Sequence, residues 1–276
     1  MALNSLTLLN QYIGTLSMKK LIGLLLVAMV FVSVKSLASD LEKEKRWAEQ
    51  IVDAIFDGEV ISLNDGKTDF MGIYTEAEEN QNRGIILMHG TGIHPDWQQV
   101  IQPLRVGLIE YNWHTLSIQM PILANDAQYS EYAPLYDEVA PRVDEAIKYL
   151  LNKGVKNIIF VAHSQGAAMA AYYLATTKTN RVKGFVAIGM VSSSVDSRMN
   201  SINSLKNISV PILDLYGSDD LDEVINSAEM RARVATESGK NQYTQIKITG
   251  NHFFDDQEAA LIDTVAEWLQ QLKLNP

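Results

Sequence analysis

The sequence predicts an α/β protein with a mostly parallel sheet, an N-terminal antiparallel hairpin and helices on both faces. The first observation is a set of continuous apolar runs at 85–88, 158–162, 185–188 and 212–216, the pattern of strands buried on both sides; 114–118 and 245–248 are weaker segments of the same kind. The second is the helical stripes between and after them. Val139, Val143, Ile147 and Leu150 form one, and Ile262, Val265, Leu269 and Leu272 another. Strand and helix in alternation call for crossover connections, and hence parallel pairing. The third is the pair of short strands at 60–63 and 70–74 around Asn64-Asp65-Gly66, a turn signal that joins them as a hairpin. Ahead of the hairpin, Trp47, Ile51 and Ile55 lie at helical spacing with charges between them, which predicts an amphipathic helix over 41–56.

With 276 residues, 47% of them apolar, the chain can bury one full core. It has no linker-like tract, no internal repeat and only a short Ser/Asn-rich stretch at 192–204. Its N-terminus has a separate logic. Met18-Lys19-Lys20 precedes an uncharged apolar run over 21–34, and Lys35-Ser36-Leu37-Ala38 follows. A basic start, an apolar middle and a small-residue exit are the pattern of a secretory signal peptide. Ser36 and Ala38 fill the −3 and −1 positions, so cleavage is expected after Ala38. Residues 1–17 add nothing to this signal, and Met18 is an alternative start. The run is shorter than the roughly 20 residues of a membrane span; an uncleaved anchor is the competing reading. The expected division is a signal peptide over 1–38 and a single domain over 39–276. The product would be periplasmic or secreted, with no stable membrane anchor after cleavage.

The chain has no cysteine, which rules out both a lipid-modified cysteine after the signal and a disulfide brace. Cleavage would remove Lys19, Lys20 and Lys35 and no acid, leaving 20 basic against 33 acidic residues and a net charge of −13. Such a surface repels phosphate backbones, and no basic cluster offsets it; nucleic acid is not an expected partner.

The densest local signal runs from Ile158 to Ala170. A buried strand enters a tight turn, and the turn enters an Ala-rich helix with Ser164 at the junction. The turn matches the nucleophile elbow G-x-S-x-G, with Ala162 in place of the first glycine. The crowded turn needs minimal side chains beside the serine, which Gly166 and Ala162 supply. A plain strand–helix junction with Ser164 as N-cap is the structural alternative.

A serine becomes nucleophilic only beside a base, and the base must be oriented by an acid. Two strands after the elbow, the chain reads Tyr216-Gly217-Ser218-Asp219-Asp220; after the last strand it reads Gly250-Asn251-His252-Phe253. Both groups fall just past the C-terminal end of a strand, the edge where open parallel sheets bind ligands. The expected triad is Ser164, Asp220 and His252, with Asp219 as the alternative acid. Asp220 stands three residues after Gly217, and Asp214, inside the strand, is expected to be structural. An oxyanion hole needs two backbone donors, one from Gln165 and one from Thr91 in the His89-Gly90-Thr91-Gly92 loop. His94, Asp96 and Trp97 either line the mouth of the site or form only a turn with Pro95. Arg231 and Arg233 are expected to be solvated. No metal-ligand spacing and no nucleotide-phosphate loop occurs, so neither metal nor cofactor is expected.

From about Arg83 to Leu272 the chain resembles the α/β-hydrolase superfamily. The set LMHGTGIHPDW, WHTLSIQMP, AHSQGA, YGSDD and GNHFF is more specific. It resembles a bacterial family of exported α/β-hydrolase-like proteins described only as of unknown function. The resemblance implies fold and export and supplies no substrate. Together with the triad positions it leads to an expected serine hydrolase acting on an ester, thioester or related acyl bond of a small molecule. The competing expectation is a non-catalytic binding or envelope-associated protein on the same fold.

Overall fold

The computed structural model of the protein describes residues 39–79, 82–239 and 242–274. The expected signal segment 1–38 lies outside the described residues. Among the described residues no helix is long and apolar enough to cross a membrane.

The chain opens with helix α1 (Leu41–Val52), capped by the Asp40 carboxylate on the Lys43 amide. The helix stops four residues short of the expected end. Ile55 still packs on the Ile51, Met71 and Ile73 cluster from beyond the helix end, and the carbonyl of Asp57 accepts from the buried Arg105. The hairpin strands β1 (Glu59–Asn64) and β2 (Asp69–Thr75) pair antiparallel around the Asn64-Asp65-Gly66 turn. The Asp65 carboxylate closes that turn on the amides of Lys67 and Thr68.

The remaining elements alternate. They are β3 (Arg83–Met88), α2 (Ile101–Gly107), β4 (His114–Ile118), α3 (Tyr136–Asn152), β5 (Asn157–His163), α4 (Gln165–Thr176) and β6 (Val182–Ile188). Then come α5 (Ser201–Leu205), β7 (Ile212–Asp219), α6 (Asp222–Ser238), β8 (Tyr243–Asn251) and α7 (Glu258–Gln271). The strands form one eight-stranded sheet in the order β1-β2-β4-β3-β5-β6-β7-β8. All pairs from β4 to β8 are parallel, while β2 joins β4 antiparallel, which grafts the hairpin onto the parallel set.

Both faces of the sheet are buried, and the strand period of two divides the core. Ile86, Met88, Ile158, Phe160, Phe185 and Ile212 face one layer with residues of α3, α4 and α6. Their neighbours Ile85, Leu87, Ile159, Val161, Val186 and Leu213 face the other, with α2 and α7. Continuous apolar runs are the sequence trace of that double burial.

Arg231 departs from its expected solvation. It is wholly buried on α6, and its Nε and Nη2 donate to both oxygens of Asp214 at 2.7 and 3.1 Å. A helical charge pattern hides this because the partner lies on a strand seventeen residues away. Arg233, one half-turn on, is exposed.

Candidate active site

Three strand ends converge on the site. Ser164 follows β5, Asp220 follows β7 and His252 follows β8. Since β7 and β8 are parallel neighbours, with Asp219 opposite Asn251, the next residue of each chain meets the other.

Ser164 holds φ 56° and ψ −123°, a conformation that a residue with a β-carbon takes at a cost of roughly 1–3 kcal/mol. Its amide donates to Ile188 O at 2.8 Å, and its carbonyl starts the first turn of α4. The turn closes only because position 166 is glycine: a β-carbon there would lie 2.3 Å from His89 O and 2.6 Å from Met88 O. Ala162, where the elbow pattern has glycine, is buried.

His252 bridges the other two groups. Its Nδ1 lies 2.5 Å from Asp220 Oδ1, and its Nε2 lies 2.9 Å from Ser164 Oγ. With Asp220 ionised, Nδ1–H donates to the carboxylate, and Nε2 is left to accept from the serine hydroxyl. Burial by itself would raise the Asp220 carboxyl. The bond and charge of His252 and the amides of Gly217 and Leu221 outweigh it and hold Asp220 below the usual carboxylate range. Those amides donate at 3.1 Å to Oδ2 and 2.8 Å to Oδ1. Asp219 is exposed and accepts from Ser218 Oγ instead, so the geometry singles out Asp220 of the two.

The two residues expected to supply the oxyanion donors touch through their side chains. The Gln165 amide is the first of α4, where no preceding turn supplies a carbonyl. Thr91 reaches the same place from the loop after β3, and its hydroxyl donates to Gln165 Oε1. His89 braces that loop. The Met120 amide and Gln119 Nε2 donate to its Nε2 at 2.9 and 3.0 Å, so Nδ1 carries the proton, 2.9 Å from Gly90 O. Burial holds this imidazole neutral, with a pKa of about 3.

His163 and Gly189 were not singled out by sequence. The His163 Nε2–H donates to the backbone carbonyl of His252 at 2.9 Å, and the two rings lie 4.7 Å apart. Burial, then the neighbouring His252, lower its pKa to about 3. The signal was its place directly before the serine. Gly189 is the first residue past β6, the strand between those of Ser164 and Asp220.

His94, Asp96 and Trp97 are placed elsewhere. Asp96 pairs with Arg105 at 2.6 Å, and His94 sits edge-on between Trp47 and Trp97. They line a cleft of about 700 Å³ whose lining includes none of Ser164, Asp220 and His252. Among the described residues no cluster of His, Cys, Asp and Glu could hold a metal ion.

An eight-stranded sheet of this order, with helices on both faces, is the α/β-hydrolase fold, and solved structures share it. Esterase Pf2001 of Pyrococcus furiosus is 14% identical over 80% of this chain and 95% of its own, with a TM-score of 0.63. Dienelactone hydrolase from Anabaena variabilis is 16% identical over 78% and 98%, with a TM-score of 0.64. Est1E from Butyrivibrio proteoclasticus is 12% identical over 78% and 98%, with a TM-score of 0.61. The chain belongs to the family described as "Protein of unknown function (DUF3530)", which matches residues 35–139 and 130–271. No curated protein matches the sequence.

Proposed function

We propose that this protein is an exported serine hydrolase that cleaves an ester, thioester or related acyl bond of a small molecule. The observation that carries the reading is His252, held between the Ser164 hydroxyl and the Asp220 carboxylate. Solved structures of the same fold that are named esterases and a dienelactone hydrolase support it.

In this reading Ser164 Oγ attacks the acyl carbonyl carbon while His252 Nε2 takes the hydroxyl proton. Asp220 holds the ring in that tautomer and stabilises the imidazolium. The carbonyl oxygen becomes an oxyanion between the amides of Gln165 and Thr91. The tetrahedral adduct collapses, and His252 passes its proton to the departing alkoxide or thiolate. Water, deprotonated by the same imidazole, then releases the acid from the acyl-enzyme and restores Ser164. Export rests on the basic, apolar and small-residue segments that end at Ala38. The net charge of −13 expected after cleavage disfavours nucleic acid as a partner.

A fluorophosphonate probe tests the chemistry, because it labels only an activated serine. The protein should label, Ser164→Ala should not, and both should fold alike. Triad loss commonly costs about 10⁴-fold or more in rate. Full turnover by the alanine variant would end the serine-hydrolase reading, and no labelling of the parent protein would leave a non-catalytic α/β-hydrolase-fold protein.

A further inference from the structure

We propose that the surroundings of Ser39 are a built site for a free α-ammonium: once the chain is cut after Ala38, the new N-terminus pairs with Glu138 and completes a buried charge cluster around Arg142. This goes beyond the hydrolase chemistry and rests on the export reading alone.

Ser39 is held on every polar group. Its backbone nitrogen donates to Glu138 Oε1 at 3.2 Å, its hydroxyl accepts from Arg142 Nη2 at 3.3 Å, and its carbonyl accepts from the Leu41 amide at 3.0 Å. The next amide, of Asp40, donates to Ile122 O at 2.7 Å. Ser39 is only 8% exposed. The residue that follows an expected cleavage point would ordinarily fray; this one is docked.

The cluster lacks positive charge. Arg142 on α3 is wholly buried, and its Nη1 donates to Glu44 Oε2 of α1 at 2.9 Å and to Gln119 O at 3.0 Å. Asp65, in the turn between β1 and β2, stands 3.7 Å from its Nε. Glu44 and Asp65 therefore share one guanidinium, and Glu138, bonded to Ser39, adds a third carboxylate close to Glu44. The other charges nearby are committed: Asp40 caps α1, and Lys43 Nζ donates to Leu123 O and Asn125 Oδ1 at 3.0 and 2.7 Å.

Glu44 shows the deficit. Burial, only partly offset by Arg142 and by a backbone bond from Ile122 and aggravated by the charge of Glu138, raises its carboxyl to about 7. Its Oε1 is buried with no hydrogen-bond partner. A peptide nitrogen brings this cluster one N–H and no charge. An ammonium brings three N–H donors and a full positive charge to a group of carboxylates that Arg142 alone does not balance.

Its pH dependence has a definite sign. An α-amino group ordinarily titrates near 8. Carboxylate partners raise that value in the folded chain, so the stabilisation is complete below about pH 8 and is lost as pH rises through the folded pKa.

The precursor should be exported by a bacterial host, and the purified product should be sequenced from its N-terminus. It should begin at Ser39. A second precursor, with Thr-Asn inserted between Ala38 and Ser39, should yield a chain whose ammonium is displaced from the site. At neutral pH the Ser39-starting protein should melt higher by roughly 2–4 °C, a gap that closes at high pH and in a Glu138→Gln background. The closure at high pH needs no variant and serves if Glu138→Gln folds poorly. A product that keeps residues 21–34 would overturn the export reading and the site with it. A product that starts at Ser39 but shows no gap, or keeps the gap at high pH, would overturn the site alone.

Discussion

Gly189 lies against the imidazole of His252: a β-carbon at this position would stand 3.0 Å from both Cε1 and Nδ1 of the ring and 3.4 Å from Asp220 Oδ2. Its φ is +53°, in the region that favours glycine, and its amide donates to Leu215 O at 2.8 Å. The end of β6 is thus a wall that keeps the imidazole on the line from acid to serine.

Gly189→Ala should therefore act on the reaction through the ring. A displacement of a few tenths of an ångström should lower kcat by about tenfold and slow fluorophosphonate labelling in step. Circular dichroism should report an unchanged fold. Labelling at the parent rate would show that the ring has room to spare.

The two adjacent carboxylates make a sharper comparison. Asp220→Asn should cut turnover by roughly 10⁴-fold, because the asparagine no longer holds Nδ1–H of His252 in place. Asp219→Asn should leave it within about twofold, since an exposed carboxylate bonded to Ser218 does nothing for the imidazole. Steady-state rates on a short-chain acyl ester decide between them, and the opposite order would assign the acid to Asp219.

These contrasts show what was legible in the sequence. The parallel sheet could be read from its strands, because burial on both faces leaves no polar position to interrupt a run such as 158–162. The chain order of serine, acid and histidine was legible from the strand ends. Which of Asp219 and Asp220 turns inward was not fixed by spacing alone, because β7 and β8 shift register between Gly217 and Asp219. The roles of Gly189 and His163, and the burial of Arg231 against its expected solvation, have a common reason: each acts through a partner on another strand or helix, and no local pattern records that contact. The antiparallel junction of β2 with β4 is a contact of the same kind.

Stability should fall in mild acid before ordinary carboxylates titrate. His89 and His163 are buried neutral, with pKa values of about 3, whereas unfolded histidine titrates near 6.5. As pH drops below about 6.5 the unfolded chain takes up protons that the folded chain refuses. The share of each imidazole is therefore complete above that pH and declines by about 1.4 kcal/mol per pH unit below it, while Glu44, whose folded carboxyl is raised to about 7, takes up a proton over the same range and offsets roughly one of the two. Asp220, lowered in the folded chain, adds a loss of the same sign in stronger acid, below its unfolded value of about 3.9. Urea unfolding between about pH 6.5 and 4.5 should show the slope, and His163→Gln should remove about one proton from it. A flat profile in the parent protein would mean that these imidazoles are not held neutral.

Access to the serine should not depend on a lipid surface. The connection from β6 to β7 holds only the turn Ser197–Met199 and the five-residue α5. The stretch over 122–136, the other segment able to cover the site, is pinned. Tyr132 Oη accepts from the Leu123 amide at 3.3 Å, Lys43 Nζ holds Leu123 O, and Tyr132 and Leu135 are buried. Short-chain soluble acyl esters should be preferred, and the rate on one ester series should rise smoothly through its micelle concentration. An abrupt rise above that concentration would reveal a moving cover.

The backbone at Ser164 has a consequence for anyone who evolves this protein in the laboratory. Glycine takes φ 56° and ψ −123° without the penalty that a β-carbon brings, so heat resistance and reactivity pull position 164 in opposite directions. A library sorted only for survival at high temperature should enrich Ser164→Gly and collect molecules that melt later and no longer label. A library sorted for labelling should keep the serine and gather its stabilising changes far from the elbow.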